Sequence, residues 1–166
     1  MALERMALLA LFNEKISELY SMVAGQETVV QLQYQTKLPI ASYESALLHA
    51  LEKNIERDKL LGFTSYGPHR EDFIVTMNDK QASQTASRGE IRTLVLVLKM
   101  MEANFIENVQ QKKPILLFDD VFSELDGKRR QALVAFLQPY QSFITTTDAD
   151  VVLDHFTQTT HVITTQ

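Results

Sequence analysis

The sequence predicts an α/β chain, on three observations. Apolar residues at helical spacing over residues 89–109 lead into an uninterrupted apolar run, Ile115-Leu116-Leu117-Phe118, which ends abruptly in Asp119-Asp120. Beyond it, shorter helix and strand patterns alternate, as in a parallel sheet with flanking helices. Before it, two amphipathic helical patterns bracket one strand of alternating polarity.

In chain order, Leu8, Leu9, Leu11, Phe12, Ile16, Leu19, Tyr20 and Val23 recur at helical spacing, and Gly25 offers a C-cap, predicting one helix over residues 3–23. Residues 28–35 alternate apolar with polar side chains, the pattern of a half-buried strand. Pro39 breaks the chain and Ser42 offers an N-cap. Ala46, Leu47, Leu51, Ile55 and Leu61 then predict a second helix that stops at Gly62. Gly67-Pro68-His69-Arg70-Glu71-Asp72 is turn-forming and charged, and residues 73–77 read as a strand that turns at Asn78-Asp79. The long helix carries its apolar positions at 91, 94, 95, 98, 101, 105 and 106. The run after Pro114 suits a strand covered on both faces. Residues 128–137 read as helix, 142–146 as a short strand, 151–156 as a short helix or turn, and 161–165 as a last strand. The pattern divides the chain into a helical segment with one strand pair over 1–62 and a second portion over 63–166.

The 166 residues, 45% hydrophobic and 22% charged, suffice for a domain with a core. No apolar run is long enough to span a bilayer, and Met-Ala-Leu-Glu-Arg lacks the basic-then-apolar order of a signal peptide. A soluble, cytoplasmic chain with no membrane partner is therefore expected. With no cysteine, and with His49, His69, His155 and His161 scattered, neither a disulfide nor a zinc cluster is expected. A net charge of −5 gives no global footprint for nucleic acid, so DNA contact would need a local patch or parts of a larger assembly.

In an open parallel sheet, ligands bind outside the carboxyl ends of the strands, so Asp119 and Asp120 stand where a Walker B motif stands. There one Asp holds Mg²⁺ and a neighbouring carboxylate orients the water that attacks a γ-phosphate. The competing reading is that the pair caps a turn. Ser87-Arg88-Gly89-Glu90 opens the long helix; a small hydroxyl and a glycine at a helix N-terminus suit a phosphate, although taken alone Ser87 reads first as a plain N-cap. Gly62 and Gly67 have the spacing of a Walker A loop, but Pro68 and His69 follow where Lys and Ser or Thr are needed. The chain has a candidate Walker B and no Walker A.

Four segments, in this order, carry a resemblance: Gly67-Pro68-His69-Arg70-Glu71-Asp72; Ser87-Arg88-Gly89-Glu90-Ile91-Arg92-Thr93 with its helix; Ile115 through Asp119-Asp120-Val121-Phe122-Ser123-Glu124-Leu125-Asp126; and Phe143-Ile144-Thr145-Thr146-Thr147-Asp148. Together they resemble the C-terminal half of an ABC-type ATPase head and, in detail, the RecF family of DNA-repair proteins, relatives of the SMC chromosome proteins. The resemblance implies a partial ATPase head preceded by the end of a helical arm. It implies that Ser87, Arg88, Gly89 and Glu90 form the signature motif, which binds the γ-phosphate of ATP held by a partner head. It implies that Asp119 is the Mg²⁺ residue, that Asp120 takes the catalytic carboxylate's place, and that Ser123 and Asp126 bound a D-loop crossing the dimer interface. Thr147 falls near the position of a switch histidine; a threonine there can hydrogen-bond but accepts no proton at neutral pH. Glu90 stands where the family more often has Gln, and a carboxylate near a triphosphate is electrostatically unhelpful unless Arg88, Arg92 or Mg²⁺ compensates.

For the intact protein the resemblance implies ATP-dependent DNA binding at gaps or single-strand/double-strand junctions, ATP-driven homodimerisation and slow hydrolysis as a timing switch. The setting is recombinational repair, with RecO and RecR as partners. Without a Walker A lysine this chain is expected not to hydrolyse ATP alone. Two other readings remain open: a non-enzymatic DNA or protein interaction module, and the head of another SMC-like protein. His69 and Arg70 match a RecF-like motif, or form a turn in which Arg70 pairs with Glu71 or Asp72. Lys128-Arg129-Arg130 reads as a solvated helix face ahead of a DNA phosphate contact.

Overall fold

The computed structural model describes residues 2–147, 161 and 163. The helix or turn expected over 151–156, and most of the strand expected over 161–165, lie outside the described residues. The chain parts into two compact units, Met1–Ser17 with Val29–Ala86, and Glu18–Thr28 with Ser87–Gln166. The division falls after Ala86 rather than at Gly62 because strand pairing ties the residues around 30 to those around 75.

The elements run α1 (Ala2–Asn13), α2 (Ile16–Ala24), β1 (Val30–Gln35), α3 (Tyr43–Leu61), β2 (Asp72–Met77), β3 (Lys80–Gln81), α4 (Ala82–Thr85), α5 (Arg88–Gln110), β4 (Leu116–Asp119), α6 (Gly127–Leu137) and β5 (Ser142–Thr145). In the first unit β1, β2 and β3 form an antiparallel sheet, with Val30 opposite Met77 and Gln35 opposite Asp72. The alternation in β1 sends Val30 and Leu32 inward and leaves Gln31 and Gln33 in solvent. Asn78 and Asp79, both at positive φ, make the tight β2–β3 turn where it was expected.

The single helix expected over residues 3–23 is two. The helix breaks at Glu14 and Lys15, and its polar residues explain why. Asn13 grips the backbone of Leu32 through both amide atoms, at 2.7 and 2.9 Å. Ser17 does the same to Val30, at 2.9 and 3.0 Å. These side chains satisfy backbone groups of β1 that no strand among the described residues pairs, at the cost of one helical turn's continuity. α3 starts at Tyr43, but the Ser42 hydroxyl makes no capping bond. Ile55 and Leu61, expected on its apolar face, are exposed, while Tyr43 and Ala50 are buried.

The turn Gly67-Pro68-His69-Arg70-Glu71 is held from beneath. Glu71 does not pair with Arg70. Its Oε1 accepts from the Thr36 hydroxyl at 2.6 Å, and its Oε2 accepts from the Tyr43 hydroxyl at 2.9 Å and from that of Tyr34. Arg5 donates to the Pro68 carbonyl. Arg70 instead lies over the Phe63 ring, 4.5 Å from its centroid, and donates to the Thr64 carbonyl. Gly67 has φ 140°, and a Cβ there would stand 2.9 Å from the His69 ring. Gly67→Ala is therefore expected to destabilise the chain by about 1–3 kcal/mol, read as a lower urea midpoint.

In the second unit β4 and β5 run parallel, in register from Leu116 opposite Ser142 to Asp119 opposite Thr145. Helix α5 buries Thr93, Leu94, Leu96, Val97, Met100, Met101 and Ala103, and α6 buries Leu133 and Leu137. The expected stripe on α5 is thus partly rotated, with Val95 in solvent. The strand expected to be covered on both faces is covered on one. Ile115 and Leu117 are 59% and 77% exposed, and Phe143 beside them 54%. Periodicity reports what the strand is suited to bury; among the described residues nothing lies on that second face.

Candidate functional site

The residues singled out by the sequence gather in the second unit. At the carboxyl end of β4, Asp119 is exposed and its Oδ1 accepts from the Thr145 hydroxyl on β5. Asp120 follows in the left-handed conformation, φ 47° and ψ 28°, and caps the short 3-10 turn of residues 121–124. Its N–H reaches both the carbonyl and the hydroxyl oxygen of Thr145, each at 3.1 Å. Its Oδ2 accepts from the Ser123 hydroxyl at 2.8 Å. Its Oδ1 is buried and has no hydrogen-bond partner among the described residues.

Such an oxygen beside an exposed carboxylate suits a hard cation that keeps water and phosphate ligands, the habit of magnesium. No cluster of three or more His, Asp or Glu among the described residues would hold a metal by itself. Asp119 is the carboxylate at that edge open to such an ion.

Ser87 N-caps α5 in a reciprocal capping box with Glu90. The Glu90 N–H reaches the Ser87 hydroxyl oxygen at 3.3 Å, and the Glu90 carboxylate accepts from the Ser87 N–H and hydroxyl, both at 2.7 Å. The N-cap reading of Ser87 holds, and Glu90 acts as its reciprocal partner. Those two bonds from Ser87, with the nearby Arg129 guanidinium, hold the Glu90 carboxyl below its usual range. Arg88 is exposed in the first turn, and Gly89 is half-buried.

Asp126 N-caps α6, its Oδ1 accepting from the Arg129 N–H at 3.0 Å. Ser123 is exposed in the turn between Asp120 and Asp126. Thr147 is exposed two residues past β5, while Thr145 is the threonine bonded to the Asp119 carboxylate and the Asp120 N–H. Sequence reasoning missed Thr145; the signal was the parallel register, which sets it opposite Asp119. It also missed Arg129, half-buried rather than solvated, and Thr93, fully buried on α5. Arg130, the next basic residue, donates to the Phe122 carbonyl. Tyr20, in the same unit, is fully buried with no partner for its hydroxyl among the described residues; burial, then Glu90, pushes its pKa up.

No family model matches the chain. Among curated proteins, DNA replication and repair protein RecF of Ruminiclostridium cellulolyticum is 36% identical over 141 residues, 83% of this chain and 35% of the relative. RecF of Lachnoclostridium phytofermentans is 31% identical over 159 residues, 96% of this chain and 43% of the relative. RecF of Anaeromyxobacter sp. strain K is 40% identical over 116 residues, 69% and 31%. A solved structure of the recombination mediator protein RecF-ATPrS in the RecFOR pathway superposes with a TM-score of 0.69 at 28% identity, covering 89% of this chain and 40% of that one. One of RecF-ATP gives a TM-score of 0.67. The chain spans roughly a third to two fifths of the length of the curated relatives it matches. No helix among the described residues is long and apolar enough to cross a membrane.

Proposed function

On the premise that this chain is the C-terminal portion of a RecF-like recombinational repair protein, we propose that it supplies one face of an ATP-driven dimerising head. The carrying observation is the end of β4, where Asp119, Thr145 and Asp120 are locked by hydrogen bonds around a buried carboxylate oxygen without a partner among the described residues. In this role Asp119 would hold Mg²⁺, which neutralises phosphate charge when bound. Asp120 takes the proton of the attacking water. Ser87 and Gly89, at the N-terminus of α5, meet the γ-phosphate of a nucleotide on the opposite head, and the turn from Ser123 to Asp126 lines the seam. Turnover is slow and marks time. DNA at gaps or junctions, with RecO and RecR, is engaged by the assembled cytoplasmic dimer, since a net charge of −5 gives this segment little attraction for DNA alone.

The exposed Ile115, Leu117 and Phe143 support the reading, because the rest of a head would cover them. The test supplies the remaining head in trans and measures ATP-dependent dimers by sedimentation, together with phosphate release. Dimers and turnover that require both parts are expected; binding of DNA by this chain alone, without nucleotide and without either activity, would favour an interaction module instead.

Glu90 sets a second expectation. Its carboxylate occupies the donors of Ser87 that an incoming phosphate would use. Glu90→Gln keeps an acceptor for the capping box and removes the repulsion, so the reconstituted head should dimerise at about tenfold lower ATP concentration. An unchanged or higher ATP requirement would show that Glu90 does not face the phosphate.

A further inference from the structure

Arg129 carries more than one bond that neither capping nor solvation requires. Its Nη1 pairs with the Asp126 carboxylate, in front of α6. Its Nε donates to the Thr93 hydroxyl on α5 at 2.5 Å. Thr93 is fully buried and its hydroxyl donates to the Gly89 carbonyl at 2.8 Å. The guanidinium lies alongside the first turn of α5, 3.9 and 4.0 Å from where a Cβ on Gly89 would stand. With its side chain 22% exposed, it is better shielded from competing water than Asp126 at 57%. A continuous path of side-chain bonds thus runs from Asp126 through Arg129 and Thr93 to the backbone of Gly89.

We propose that Arg129 is a positioning residue that clamps the Asp126 turn to the first turn of α5, so that residues 87–90 and 123–126 are presented as one rigid edge. The inference rests on the reading that both segments face a partner head. It assigns Arg129 no contact with nucleotide. The fork matters as much as the charge, because donors at Nε and Nη1 serve two acceptors in different directions and a lysine ammonium offers one point. The clamp also sets a cation beside Glu90, the compensation expected of Arg88, Arg92 or Mg²⁺.

The first test uses the chain itself, by amide hydrogen exchange. Arg129→Gln should speed exchange about tenfold in residues 89–93 and in 126–130 together, and Arg129→Lys should not restore it. Thr93→Val should loosen 126–130 although it lies on the other element. An effect of Arg129→Gln confined to 126–130, or full rescue by lysine, overturns the clamp.

The second test joins the segment to the rest of a RecF-like head. There Arg129→Gln should weaken ATP-dependent dimerisation about tenfold, with the undimerised head's half-saturation by ATP unchanged. If wild type dimerises and Arg129→Gln matches it within about twofold, the clamp has no role in assembly, although the proposed function stands. If wild type never dimerises, the proposed function fails, and the exchange result decides the clamp by itself.

Discussion

Asp120→Asn in the completed head is expected to lower ATP turnover by about 10²- to 10⁴-fold while ATP-dependent dimers still form. The substitution is clean because the fold does not need the charge. Asp120 sits at φ 47°, where asparagine is among the few residues at ease, and its backbone N–H keeps both contacts to Thr145. The amide oxygen can take the Ser123 proton that Oδ2 accepts now. What is lost is a group able to take a proton from water. Urea unfolding of the chain should shift by about 0.5 kcal/mol or less, which separates a chemical defect from a folding one. Turnover within tenfold of wild type would remove Asp120 from the base's role. Loss of the dimer itself would mean that its charge already serves in the nucleotide-bound ground state.

Asp119-Asp120 could be placed at the carboxyl end of a strand because an apolar run that stops at two carboxylates marks where the strand ends. Ser87-Arg88-Gly89-Glu90 could be placed at a helix start because small and acidic residues there obey local capping rules. Both signals lie within a few residues of chain. The misreadings involve partners remote in sequence. Arg129 looked solvated within a basic triplet, yet its second partner is Thr93, 36 residues earlier. The single helix expected over residues 3–23 is broken by Asn13 and Ser17, which serve the backbone of β1. The exposure of Leu117 is a different case, because its apolar character states what the strand is suited to bury and says nothing of which polypeptide does so.

Glu71→Ala is expected to cost the chain about 3 kcal/mol at neutral pH, a loss at the top of the range expected for Gly67→Ala, measured by urea unfolding. Arg70 and Asp72 flank it, and a local ion pair with Arg70 would be worth little at such an exposed turn. Glu71 instead accepts from hydroxyls on three separate stretches, Tyr34 on β1, Thr36 just beyond it and Tyr43 at the start of α3. Alanine leaves all three without their acceptor, and the Tyr43 hydroxyl is the worst placed to find water, since Tyr43 is only 9% exposed. Burial alone and then the bond to Glu71 push the Tyr43 pKa up to about 12, so it remains a donor throughout the working range. On Glu71 burial acts upward, but the bonds from Thr36, Tyr34 and Tyr43 and the Arg5 charge outweigh it, and its carboxyl titrates below the ordinary 4.5. A carboxyl depressed on folding contributes stability that is fully present above its unfolded value and lost as pH falls through the folded one. Wild type should therefore lose stability on acidification below about pH 4.5, and Glu71→Gln should flatten that limb while retaining part of the network through its amide oxygen. A Glu71→Ala chain as stable as wild type, or an acid limb unchanged in Glu71→Gln, would mean that the turn of Gly67 to Glu71 is held by its backbone and that Glu71 is available for some other contact.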